Sequence, residues 1–262
     1  MPRSTGTVFV VAFVLGVVAF IGTLLFAPVP KGEQGSISPE EQVAQEAAYT
    51  AGRRHQNTRA QRIIAGDWAG LAATARASLE HNPTDFWAHA DLLNALANGA
   101  GDADELTAAA ERTLEDLGAM PEPGRGRWGV QWATGWAKWS LGDHEAARAT
   151  WREAAEGMQL AQERGERVES YNIAAQLALA GEHDAAIEAW ERAVRAEGYR
   201  EYAFARADCD LRDLRDDPRF EAVIAEAQRQ REAWRRARDD EAAAFVGPPE
   251  PGPDGPGPGE GG

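Results

Sequence analysis

Cysteine occurs once in 262 residues, at Cys209, so no intramolecular disulfide can close and a four-cysteine zinc site is excluded. Its acidic neighbours argue against a reactive thiol. Lysine is almost missing: Lys31 and Lys138 stand beside 25 arginines, which with the abundant alanine reads as coding bias. Positive charge is scarce overall, with 42 acids against 27 bases and a net charge of −15. A nucleic-acid partner needs surplus positive charge to displace phosphate counterions, so none is expected. The sequence lacks the alternating Val/Ile/Thr runs of a sheet. It also lacks a phosphate-cradling glycine loop, an HExxH, a GxSxG and a paired-cysteine motif. No enzyme activity, cofactor, metal or small-molecule substrate is therefore expected. The carboxylate runs Asp208 to Asp217 and Asp239 to Glu241 have no calcium-loop spacing and are read as solvated helix ends and loops.

The amino terminus is where charge disappears. No charged residue lies between Ser4 and Pro30, and Val8 to Ala27 is almost wholly apolar. Twenty residues at about 1.5 Å each span a ~30 Å hydrocarbon core. The run exceeds the roughly 7–15 apolar residues of a cleaved signal peptide, and Pro28 directly after Ala27 disfavours cleavage. The expected organisation is a cytoplasmic tail over 1–7, a single-pass transmembrane anchor over 8–27, a linker over 28–37, a helical domain over 38–246 and a disordered Pro/Gly tail over 247–262. Arg3 and the α-amine place the short tail inside and the domain on the extracytoplasmic side; the reverse orientation is the alternative. Ser38-Pro39-Glu40-Glu41 reads as a capped helix start.

The domain repeats itself. Gly142, Ala147, Trp151 and Ala154 are spaced 5, 4 and 3, as are Gly181, Ala186, Trp190 and Ala193. Gly66, Leu71, Ala75, Ser78 and Gly101, Leu106, Ala110, Thr113 follow the same rule, and the glycines lie 35, 41 and 39 residues apart. Each unit predicts a helix hairpin: glycine ends the first helix, an adjacent acid opens the second, and a small residue admits close approach. Tyr171-Asn172-Ile173-Ala174 through Gly181 to Ala193, Pro83 in HNPTDFW, and the closing Asp217-Pro218-Arg219-Phe220 turn carry a resemblance to the tetratricopeptide repeat (TPR) family, from about Gln42 to Gln228. The resemblance implies an all-α fold, an α-solenoid with a capping last helix, and a protein–protein interaction scaffold of bacterial envelope-assembly or chaperone type. His144 and His183 fall at its repeat positions beside the turn, so they are read as packing residues. The stretch Pro121 to Gly129 reads as an inserted loop in the array.

Four of nine tryptophans, Trp128, Trp132, Trp136 and Trp139, are spaced 4, 4 and 3 and share one helical face. They read either as core or as a binding wall. With Gly142 as the turn glycine, the resemblance puts Gly135 at the small first-helix position. It puts Trp132, Trp136 and Trp139 on the concave groove, with Tyr171 at the corresponding place in the last repeat. Trp151 and Trp190 fall at inter-helix packing positions. The expected partner is a protein, offered as an apolar or Pro-rich peptide segment. The alternative is an accessory subunit packed permanently in a membrane complex.

Overall fold

The computed structural model describes residues 39–120 and 126–245. Among them every regular element is helical: α1 Pro39–Ala65, α2 Trp68–His81, α3 Phe86–Ala95, a π turn Leu96–Ala100, α4 Ala103–Gly118, α5 Arg127–Ser140, α6 His144–Glu163, α7 Ser170–Ala180, α8 His183–Arg195, α9 Tyr202–Ala207, a 3₁₀ turn Cys209–Leu214 and α10 Pro218–Phe245. Among the described residues no helix is long and apolar enough to cross a membrane. The expected anchor, Val8 to Ala27, the linker before Pro39 and the tail from Gly247 lie outside the described residues. The chain divides after Gln45 into two units; of the first, residues 39–45 are opening turns of α1, and the second carries the remaining elements.

Three of the four repeated glycines terminate helices by the same device. Gly66, Gly142 and Gly181 have φ of 67°, 85° and 84°, a left-handed conformation that a side chain opposes. At each, the following amide reaches back five residues: Asp67 N to Arg62 O (2.9 Å), Asp143 N to Lys138 O (3.0 Å) and Glu182 N to Leu177 O (2.9 Å). These bonds satisfy the last carbonyls of α1, α5 and α7. Asp67 and Asp143 then cap α2 and α6 by accepting from Gly70 N and Ala146 N. The fourth copy departs from the expected pattern. Gly101 is extended at φ −164°, and the left-handed residue is Gly99 at φ 96°. The last turn of α3 widens into the π turn, and the left-handed residue comes two positions earlier in the chain. Asp102 still caps α4 through Glu105 N at 2.8 Å.

Packing follows chain order. α2 lies on α3, α4 on α5, α5 on α6, α6 on α7 and α7 on α8, while α3 also touches α5. Trp151 and Trp190, at matching positions of α6 and α8, are fully buried; each buries area worth about 4–6 kcal/mol of gross transfer energy. Gly135 explains how α5 and α6 close. A Cβ there would sit 2.1 Å from Trp151 Nε1, so the indole lies against bare backbone and donates to Trp132 O at 3.2 Å. α10 closes the far end with Phe220, Val223, Ile224 and Ala227, all buried. Trp234, which follows Ala227 at helical spacing, is 43 % exposed. The α10 residues 232–241 are all exposed; Trp234 has the Arg238 and Arg200 guanidinium groups 4.9 and 5.8 Å from its ring centre.

Candidate functional site

The tryptophan face of α5 does not act as one surface. Trp132 and Trp136 are 4 % and 3 % exposed, and their indole N–H groups converge on a single carboxylate, Asp210, at 2.9 and 3.0 Å. Trp139, half-buried, turns away toward α6, its ring 4.1 Å from His144 and 5.9 Å from Trp151. Trp128 is half-buried at the start of the helix, beneath the Arg127 guanidinium.

Asp210 arrives from the chain's own return segment. After α8, the chain passes through Tyr199, α9 and the 3₁₀ turn, which packs on α7. Asp208 caps this turn by accepting from Asp210 N at 3.1 Å. It also accepts from the hydroxyl of Tyr171, a buried residue at the start of α7. Tyr171 stacks face to face on Tyr199 with centroids 4.5 Å apart. Asp208 and Asp210 are 4 % and 6 % exposed, which corrects the reading of this acidic run as solvated at those two positions; Asp213 and Asp216 are exposed. Burial first, and Asp208 next, push the Asp210 carboxyl well above its usual range; Arg59 and the two indoles pull the other way. Burial and Asp208 likewise raise Tyr171 and Tyr199. The Cys209 thiol is pushed up to about 11, by burial first and then by the two aspartates, which leaves it protonated and unreactive at neutral pH.

Arg59 on α1 is the cation of this cluster. Its Nε donates to both oxygens of Asp91 on α3, at 2.9 and 2.7 Å. Its guanidinium lies 5.1, 5.6 and 5.4 Å from the ring centres of Trp87, Trp132 and Phe204. Burial pulls its pKa down, but Asp91, Asp208 and Asp210 together outweigh that and hold it charged. His55 Nε2 is 2.9 Å from the same Asp91.

These groups surround a cavity of about 380 Å³, within the range of small-ligand sites. Its floor is Trp132, Tyr171, Asp208 and Asp210, and its walls include Trp87, Tyr199, Phe204 and Gln176. Trp128, Asn172 and the exposed Glu169 form the rim. The structure thus brings two of the sequence-derived site residues, Trp132 and Tyr171, to one cavity. Trp136 joins it only through the shared carboxylate, and Trp139 lies apart. Sequence reasoning missed Arg59, Asp208 and Asp210. The available signal was the Asp-Cys-Asp-Leu string behind the aromatic stretch Tyr199 to Phe204, whose alternation suits a half-buried segment; Arg59 had none in a helix full of charges. The chemistry on offer is recognition: aromatic faces, carboxylates and a carboxamide around one opening. Among the described residues no group of three or more His, Cys, Asp or Glu side chains is placed to hold a metal ion. Comparison of the chain with family models, with curated proteins and with solved structures finds no match.

Proposed function

We propose that the chain is a membrane-tethered adaptor: a TPR-like α-solenoid, held by the Val8 to Ala27 anchor, that binds a partner protein on its concave face. The observation that carries this reading is the cavity. Its lining draws on α3, α5 and α7, first helices of successive hairpins that contribute Trp87, Trp132 and Tyr171, together with Arg59 of α1, Met158 of α6 and Phe204 of α9. In a TPR-like array first helices line the concave side, and an aromatic-lined depression with a few polar groups is the usual form of a protein-binding hot spot. The recurring glycine turns and the Gly135–Trp151 contact support the repeat reading. Tethering adds local concentration, so modest affinity at the cavity suffices. Of the residues expected to bind, the proposal keeps Trp132 and Tyr171 and adds Trp87 and Trp128. It leaves Trp136 and Trp139 to packing.

The test is mild crosslinking of full-length protein in its own cells, wild type beside Trp128→Ala. Trp128 lies at the rim, so the variant keeps its helicity and loses a specific partner. A folded variant with an unchanged partner set refutes the reading. A carboxy-terminal alkaline phosphatase fusion tests the topology, being active only if the domain is exported.

A further inference from the structure

Among the described residues, the lining carries the acidic side chains of Asp208 and Asp210 beside one guanidinium, that of Arg59. The Nε of Arg59 is committed to Asp91, which lies outside that lining. Glu169 adds a carboxylate at the rim, and Arg59 is the only Lys or Arg among the described lining residues. Arg215 donates to the backbone oxygen of Asp208 at 2.9 Å, from outside that lining. The oxygens of Asp208 and Asp210 accept from neutral donors, namely the Tyr171 hydroxyl, two indoles and an amide.

A second observation is independent of charge. Gln176 lines the cavity, is 4 % exposed, and its carboxamide oxygen has no hydrogen-bond partner. A buried acceptor without a donor is unfavourable, and a donor supplied by a ligand removes the penalty. The walls complete the pattern. Trp128, Tyr171 and Tyr199 are aromatic rings on the lining, each with one face already covered, by the Arg127 guanidinium or by the other tyrosine, and an open aromatic face or edge still packs along an aliphatic stem or attracts its charged head.

We propose that this cavity binds an organic cation, an ammonium or guanidinium on an aliphatic stem, presented as a lysine or arginine side chain of a partner protein. The stem lies along the rings while the head meets Asp208, Asp210 and the Gln176 oxygen. The protein source rests on the adaptor reading and on charge complementarity, since a chain of net charge −15 selects a basic partner. An anion is the opposite possibility, because Arg59 lines the same cavity. It is disfavoured because a carboxylate would enter beside Asp208 and Asp210 while Arg59 is already paired.

Calorimetric titration of the full-length protein in neutral detergent tests this, using acetyl-Ala-Lys-Ala-amide, acetyl-Ala-Glu-Ala-amide and n-butylammonium. The lysine peptide binds saturably and the glutamate peptide does not. Binding weakens at least threefold in Glu169→Gln, an exposed position that leaves folding unchanged, and at least tenfold in Gln176→Leu at wild-type helicity. A lysine peptide that binds several-fold tighter than n-butylammonium supports a protein source; equal affinities uphold the cation site and overturn that source. Binding of the glutamate peptide alone, or of neither cation to folded protein, overturns the site. Lysine-peptide binding by a protein whose crosslinked partners ignore Trp128→Ala keeps the site and removes the adaptor reading. Loss of partners without peptide binding does the reverse.

Discussion

Removing the guanidinium of Arg59 puts the charge cluster directly at risk. Arg59→Leu keeps much of the apolar stem but strands Asp91, whose side chain is 1 % exposed, with His55 as its remaining neighbour. Breaking a buried ion pair from one side costs about 3–5 kcal/mol, because the surviving charge stays desolvated. Loss of the guanidinium from three ring faces adds about 0.5–2 kcal/mol, less whatever leucine recovers by packing. A domain of this size has a total stability of about 5–15 kcal/mol, so the variant folds weakly or loses most of its margin. Asp91→Asn in the same background removes the stranded charge, so the double variant is more stable than the sum of the single effects predicts, by about 1–3 kcal/mol. Urea unfolding of the full chain in neutral detergent, followed by helical circular dichroism, measures all four species. A loss under 1 kcal/mol for Arg59→Leu, or strict additivity in the double variant, refutes the account of a buried, ring-enclosed pair.

Other outcomes follow from single contacts. Gly135→Ala loses about 1–3 kcal/mol in urea unfolding because its Cβ would strike Trp151; Gly118→Ala, with nothing within 4 Å, is neutral or gains up to about 1 kcal/mol. Trp190 Nε1 has no partner, whereas Trp151 Nε1 is bonded. Thermal melts should therefore show Trp151→Phe losing about 1 kcal/mol more than Trp190→Phe. The Asp210 carboxyl is raised in the folded chain from an ordinary value near 3.8, so above that pH the folded state holds a proton the unfolded state has released. Stability therefore falls as pH rises from about 4 toward the folded value, a slope that Asp210→Asn flattens in urea unfolding at a series of pH values.

What was legible in the sequence was periodic. Three of the turn glycines and the caps beside them are local devices, and Trp151 and Trp190 recur at one spacing, so both were readable. The helical character of the described residues followed from the same regularity. Gly101 misled because the π turn before it depends on how α3 seats against its neighbours. Trp234 departs from the stripe because amphipathic spacing states only which face can be buried, and α10 is exposed from residue 232 to 241. The cluster was illegible for a different reason. Arg59, Asp91 and the Asp208–Asp210 pair are far apart in sequence, and a buried aspartate has the same letter as a solvated one. The return segment, residues 199–214, places Asp208 and Asp210 under α5 and α7 by tertiary packing that no local pattern encodes. The tryptophan stripe was visible as a stripe, but which rings face the cavity depended on that same segment.

The central claim, that the cavity side of α3, α5 and α7 receives a partner, is tested most directly by site-specific photocrosslinking in native membranes. A photoreactive phenylalanine analogue at Trp128 on the cavity rim is compared with the same group at Trp234, which is 43 % exposed and away from the cavity lining. The account predicts one discrete protein adduct from position 128, mapped next to a lysine or arginine of the partner, and none from position 234. An adduct from position 234 with none from position 128 contradicts it.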